Sequence, residues 1–160
     1  MKNTKKRLTI GLLLFLLAFI WGQSAMSRAV SRAESEAVGS FLAPLLELLV
    51  GRGNVTDHLV RKLAHFCEYA ALGAVLAMLL RFTEGRSLFF GSYAALCGMA
   101  VAVVDESIQL LADGRGAQVQ DVLLDTGGML FGLGLMTLLL TLRSRRRHRQ
   151  DGAHSDSEAE

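Results

Sequence analysis

The sequence predicts an all-α integral membrane protein, a bundle of four transmembrane helices with an extracytoplasmic amphipathic helix between the first two. Hydrophobic residues make up 51% of the chain and charged residues only 20%, with a mean hydropathy of +0.36. The polar residues are concentrated between four long apolar runs, each close to the ~20 residues that a helix needs to cross a hydrocarbon core of ~30 Å. No segment alternates polar and apolar residues over the ~10 positions of a membrane barrel strand.

The apolar runs give the positions of the spans. The predicted spans are, in order, residues 8–25, 63–82, 88–111 and 122–142. The first follows a basic stretch that contains Lys2, Lys5 and Lys6, so it also resembles a signal peptide with a cleavage site near Ser24. Its length and the three spans that follow it favour a retained anchor.

The four spans define one membrane domain, residues 1–142. Residues 143–160 are basic at first and then acidic and rich in serine. This composition predicts a disordered cytoplasmic tail, in which the arginines hold the last helix against anionic lipid.

The segment between the first two spans is amphipathic. It carries an apolar stripe from Phe41 to Val50 around Pro44, the only proline of the chain. We expect a helix that lies on the outer membrane surface or caps the bundle. Docking of a partner protein on this helix is the alternative.

Glycines in the fourth span are expected to serve packing. Gly128 and Gly132 form a Gly-x-x-x-Gly pair. Small residues at this spacing allow the backbones of two membrane helices to approach closely. Contact with a ligand is the less favoured interpretation there.

The lysines and arginines predict the orientation. If both termini are cytoplasmic, eleven of the 17 basic residues lie inside and six outside. Basic residues favour the cytoplasmic side of membrane proteins. The chain is therefore predicted to be a multi-pass protein with both termini in the cytoplasm.

Ionisable residues are concentrated where the second span starts, the third ends and the fourth starts. In an up-and-down bundle with short loops these three points share one depth. An ionisable group inside a membrane costs roughly 2.5–3.5 kcal/mol unless it is paired or hydrated. We therefore expect these residues to neutralise one another around a polar cavity that opens outward.

Three chemistries fit this set. Cations near the headgroup plane can hold a phosphate, and the predicted ligand-binding residues are Arg61, Lys62, His65, Tyr69, Gln109 and Arg115. Oxygen-rich groups can bind a divalent cation, and the candidate metal ligands are His65, Glu68, Asp105, Glu106, Asp121 and Asp125. A histidine beside a carboxylate can transfer protons, and the candidate catalytic residues are His65, Glu68, Asp105 and Glu106.

Each residue also has a structural interpretation. Asp121 can cap a helix, Arg61 can anchor the headgroup level and Glu68 can serve as an internal ion-pair partner. The set as a whole favours a functional site. The sequence contains no Gly-rich phosphate loop, no Cys-x-x-Cys and no Gly-x-Ser-x-Gly motif, which argues against the enzyme classes that depend on them.

These residues, in this order, resemble the VanZ-like family of bacterial membrane proteins. The matching stretches are WGQSAMSRAVS at 21–31, RKLAHFCEYAALG at 61–73, DESIQ at 105–109, GR at 114–115 and DVLLDTGGMLFG at 121–132. Asp125 departs from the pattern, since many members carry asparagine there. The added carboxylate favours cation binding and puts any shared chemistry in doubt.

The resemblance implies a protein of the bacterial cytoplasmic membrane that acts at its outer face, where lipid headgroups and cell-wall precursors lie. The family is named for a protein linked to resistance to teicoplanin-type glycopeptides, and its reaction is undefined. The expected partners are membrane lipids and a lipid-linked cell-wall precursor, without nucleic acid. The cofactor is left open, with a divalent cation as the candidate.

Three functions remain open from the sequence. The leading hypothesis is a protein that binds or remodels an anionic lipid or cell-wall precursor through Lys62, His65 and Arg115. The second is a metal-dependent enzyme that acts on phosphate- or pyrophosphate-bearing lipids. The third is a structural or partner-binding membrane subunit, in which the polar residues only hold the helices together.

Overall fold

The computed structural model describes residues 2–51, 54–82, 88–112 and 118–157. Within these ranges the chain is helical and contains no strand. The helices are α1 (Lys2–Ser24), α2 (Arg28–Val50), α3 (Asp57–Leu80), α4 (Leu88–Leu111) and α5 (Val119–Ser157). All but α2 contain a stretch long and apolar enough to cross a membrane. The predicted helical membrane bundle is confirmed.

The start of α3 differs from the sequence prediction. The helix begins at Asp57, six residues before the first residue of the predicted apolar span. The side chain of Thr56 accepts a hydrogen bond from the backbone nitrogen of Leu59 at 3.2 Å, and Asp57 occupies the first turn. Both features stabilise a helix start, so the polar residues ahead of the apolar run are helical too.

Helices α3 and α5 form the most extensive packing in the bundle. A Cβ atom on Gly128 would lie 2.5 Å from the carbonyl oxygen of Phe66, and one on Gly132 would collide with that of Ala70. Because both partners advance by four residues, the two helices run parallel. The predicted role of the glycine pair in close helix approach is confirmed.

Gly73 continues the same contact from the α3 side, since a Cβ atom there would collide with the backbone of Met129 in α5. Next to this contact lies the hydrophobic core, which is formed by side chains from α1, α3, α4 and α5. Its buried members are Ile20, Tyr69, Leu72, Ala102 and Met129. Helix α1 thus packs as a full member of the bundle through Ile20.

Helix α2 packs against the start of α3. A Cβ atom on Gly39 would lie 3.3 Å from the side chain of Val60. The Nε atom of Arg32 lies 3.6 Å from Oδ2 of Asp57. The opposite face exposes large apolar side chains, with Phe41 84% and Leu48 81% accessible. The predicted amphipathic helix is confirmed, and its exposed apolar face is suited to the membrane interface.

The last helix continues beyond the apolar span to Ser157. Its C-terminal part therefore covers most of the segment that the sequence predicts to be a disordered tail. The domain boundary at residue 142 and the state of the tail stay predictions.

Candidate functional site

Four helix ends meet at one end of the bundle, which we call the polar end: the last turns of α1 and α4 and the first turns of α3 and α5. His65 lies eight residues after the first residue of α3, and Asp125 lies six after the first residue of α5. Asp105 lies six residues before the last residue of α4. At ~1.5 Å per residue, the three side chains start about 9–12 Å inside the ends of their helices. The three side chains therefore lie at a similar depth in the bundle, as the sequence predicts.

His65, Asp105 and Asp125 form the buried cluster. The Nδ1 atom of His65 lies 4.0 Å from Oδ2 of Asp105 and 4.0 Å from Oδ1 of Asp125. The imidazole is 16% accessible, whereas the two carboxylates are at most 2% accessible. One ligand atom from each residue lies within 4.8 Å of the other two. Three different helices therefore direct metal-ligating atoms to one point.

Gln109 connects the buried cluster to α1. Its Nε2 atom donates to Oδ2 of Asp105 at 3.2 Å and lies 3.4 Å from Oγ of Ser24, to which it also donates. All three side chains are buried. Because Ser24 ends α1 and Gln109 is near the end of α4, this bond fixes the relative height of the two helices.

Glu106, on the turn beside Asp105, contacts the start of α5. The backbone nitrogen of Gln118 donates to its Oε2 atom at 3.1 Å. A carboxylate at this position satisfies a free N–H at the helix start and interacts favourably with the helix dipole. The contact supports a structural role for Glu106, which would hold the start of α5 against α4.

Lys62 and Asp121 form an ion pair between α3 and α5, with Nζ 3.0 Å from Oδ1. Both side chains are about a quarter accessible, 28% and 26%. The pair lies nearer the helix ends than the buried cluster. Asp121 is therefore paired with a lysine. It is not one of the three residues of the buried cluster.

Several buried polar atoms at the polar end have no hydrogen-bond partner among the described residues. They are Nε of Arg61, Oε2 of Glu68, Oη of Tyr69, both carboxylate oxygens of Asp125 and Oγ1 of Thr126. Tyr69 is fully buried and Asp125 is 1% accessible. An unsatisfied buried polar group costs about 1–3 kcal/mol, so this concentration is expensive for a purely structural assembly. It supports a site that binds something polar.

A cavity of about 440 Å³ lies beside the buried cluster, between α1, α2 and α3. We call it the lateral cavity. Its polar lining residues are Gln23, Ser31, Glu34, Ser35, Arg61, His65 and Glu68. Phe19, Val38 and Val60 supply apolar wall. His65 belongs to both the cavity lining and the buried cluster, so the two features are parts of one site.

The structure thus brings most of the predicted site residues to one place. His65, Asp105 and Asp125 form the buried cluster, with Tyr69 and Glu68 close enough to interact electrostatically with Asp105. Arg61 lines the cavity, Lys62 pairs with Asp121, and Gln109 bonds to Asp105. Arg115 lies outside the described residues. The catalytic, ligand-binding and metal roles of the set stay predictions.

Several residues of the site are absent from the sequence prediction, among them Ser24, Glu34 and Thr126. Ser24 bonds to Gln109, Glu34 reaches the cavity from α2, and Thr126 is a buried neighbour of Asp125. A hydroxyl in an apolar helix usually bonds to its own backbone, so neither Ser24 nor Thr126 gives a distinct signal. The only sequence signal for Glu34 is its position among the polar residues of the amphipathic segment.

Comparison with known proteins adds one match. A family model described as VanZ/LLP1 matches residues 9–140, a range that includes most of each of the four spans and every residue of the site. No curated protein and no solved structure matches the chain.

Proposed function

The chain belongs to the VanZ/LLP1 family, and we propose that it binds the phosphate-bearing head of an anionic lipid or lipid-linked cell-wall precursor at the outer face of the bacterial cytoplasmic membrane. One observation carries this proposal: the lateral cavity joins apolar walls to buried polar groups of the polar end. The lining combines Arg61, His65 and Glu68 with Phe19 and Val60. This is the surface that an amphiphile requires.

The size of the cavity suits a headgroup. Small-molecule sites typically have volumes of about 300–1,000 Å³, and the lateral cavity has about 440 Å³. It is bounded by three helices and is open to the outside of the bundle. A lipid can therefore place its head against α3 while its apolar chain remains along α1.

Arg61 is the group best placed to hold a phosphate. Its Nε atom is buried and has no hydrogen-bond partner among the described residues, and its side chain lines the cavity. A guanidinium presents several donors that match phosphate oxygens. Lys62 contributes less, because Asp121 already neutralises it.

The outer location rests on the distribution of basic residues, which favours cytoplasmic termini, and on α2, whose exposed apolar face fits a membrane surface. Cell-wall precursors and anionic lipids present phosphates at that depth. A link to resistance against teicoplanin-type glycopeptides extends the proposal, and it is tested by the susceptibility of cells with and without the chain.

Native mass spectrometry of the protein released from membranes tests the proposal. The wild type is expected to retain a phosphate-bearing lipid, and Arg61→Gln should reduce the retained fraction at least five-fold. Arg32→Gln is the matched control, because Arg32 lies on α2, is 67% accessible and is absent from the cavity lining. Equal retention by wild type and Arg61→Gln would contradict the proposal.

A second candidate function is metal-dependent catalysis on phosphate- or pyrophosphate-bearing lipids. The observation in its favour is the imidazole of His65 between the carboxylates of Asp105 and Asp125, an arrangement suited to proton transfer. Release of inorganic phosphate from a long-chain isoprenyl diphosphate, by the wild type and not by His65→Gln, would support it. Binding of the same lipid without release would assign the protein to binding alone.

A further inference from the structure

We infer that His65, Asp105 and Asp125 form a binding site for a divalent cation at the inner edge of the lateral cavity. Each residue comes from a different helix, and one nitrogen and two carboxylate oxygens lie within 4.8 Å of one another. The site is a convergence of three helices that are far apart in sequence. It differs from the surface acidic groups that occur without an ion, because both carboxylates are fully buried.

The distances within the cluster suit an ion between the side chains. The gap of 4.0 Å from the imidazole to each carboxylate exceeds the ~3.2 Å limit of an ordinary N–H···O hydrogen bond. In a tetrahedral site with bonds of ~2.0–2.2 Å, two ligand atoms lie about 3.3–3.6 Å apart. Each gap must therefore shorten by about half an ångström, which small changes in the side-chain torsion angles supply.

Asp125 gives the independent indication of a ligand. Its side chain is 2% accessible, and neither carboxylate oxygen has a hydrogen-bond partner among the described residues. It also experiences repulsion from Asp105, Glu106, Asp121 and Glu68. A buried carboxylate among like charges is strongly unfavourable by itself, and a cation removes this cost.

The ligand types indicate the class of ion. One imidazole and two carboxylates suit Mn²⁺ or Zn²⁺, which accept mixed nitrogen and oxygen ligands. Three protein ligands leave further coordination positions open. His65 also belongs to the lining of the lateral cavity, so the ion would lie next to that cavity.

A bound cation would place positive charge beside the cavity in which we propose the phosphate to bind. A metal ion that is shared between protein carboxylates and a phosphate is a common way to hold such a group. This role in headgroup recognition rests on the proposed function. The binding of the ion itself does not.

The ion is tested with full-length protein in detergent after treatment with a chelator. Equilibrium dialysis against Mn²⁺ and, separately, Zn²⁺ should give about one bound ion per chain for the wild type. Asp125→Asn should weaken binding at least ten-fold. Asp121→Asn is the matched control, with the same chemical change one helical turn earlier on a residue paired with Lys62, and should bind as the wild type does.

Thermal unfolding separates lost binding from lost folding. Asp125→Asn removes a buried charge, so its Tm without metal should equal or exceed that of the wild type. Added Mn²⁺ should raise the Tm of the wild type and of Asp121→Asn, because a ligand that binds the folded state stabilises it. The Tm of Asp125→Asn should not respond.

Two results would overturn the inference: a wild type that binds neither ion, or an Asp125→Asn variant that binds as tightly as the wild type. Lipid retention, measured on the same preparations without chelator, keeps the two proposals apart. Lipid retained by a wild type that binds neither ion in dialysis refutes the cation site alone, and bound metal without any retained lipid refutes the headgroup proposal alone.

Discussion

His65 on α3 and Asp125 on α5 face each other across the most extensive helix contact of the bundle, with Nδ1 and Oδ1 4.0 Å apart. Just beyond them, Gly128 brings the backbone of α5 against that of Phe66. The close approach of the two helices therefore sets the distance between the imidazole and the carboxylate. The geometry of the site depends on glycines that carry no chemistry themselves.

Gly132→Ala is expected to destabilise the protein and to disturb the site. The added Cβ would collide with the carbonyl of Ala70, so α3 and α5 must separate, at a cost of about 1–3 kcal/mol. Gly134→Ala is the control, since among the described residues no atom beyond its own helix backbone lies within 4 Å of a Cβ there, and alanine favours a helix. Thermal unfolding in detergent should show a lower Tm for the first variant and an equal or higher Tm for the second.

Gln109→Ala should weaken the attachment of α1 to α4. The change removes the donor to Asp105 and Ser24 and leaves a buried carboxylate oxygen with one bond fewer, which costs about 1–3 kcal/mol. Ser107→Ala is the comparison, because Ser107 is exposed and bonds only to Val103 of its own helix among the described residues. Equal unfolding temperatures for the two variants would show that the Gln109 bonds do not hold the helices.

The ion pair of Lys62 and Asp121 is expected to contribute little to stability. Its side chains are 28% and 26% accessible, and partly exposed pairs contribute about 0.2–1 kcal/mol. A double-mutant cycle with Lys62→Gln and Asp121→Asn should give a coupling free energy in that range. A coupling of several kcal/mol would show that the pair is part of the buried network.

The predicted orientation places the polar end outside the cell. Val119 at the start of α5 is 78% accessible, and Arg146 near its far end is exposed. In a background with Cys67 and Cys97 replaced by serine, an impermeant thiol reagent should label Val119→Cys in intact cells and Arg146→Cys only after permeabilisation. The reverse pattern would place the site in the cytoplasm.

The sequence predicts the spans and the common depth of the polar residues, because apolar length and charge position are one-dimensional properties. It does not predict the pairings. Whether Lys62 meets Asp121, or His65 lies between Asp105 and Asp125, depends on how each helix is rotated about its axis. That rotation is set by the contacts of Gly73, Gly128 and Gly132 across the bundle.

The start of α3 shows a second limit of the sequence prediction. The start of an apolar run marks where a helix enters the membrane. The helix itself begins earlier, at the cap made by Thr56. The site lies in the first turns after that cap. Hydropathy therefore predicts that His65 and Glu68 lie nearer to the start of α3 than the structure shows.

An experimental map of the protein in a lipid nanodisc shows directly whether the lateral cavity holds a lipid. We expect elongated density in the lateral cavity, with its head at Arg61 and its tail past Phe19. Bilayer lipids resolved around the bundle with a cavity closed by protein side chains would contradict it. So would a map in which His65, Asp105 and Asp125 are directed away from one another.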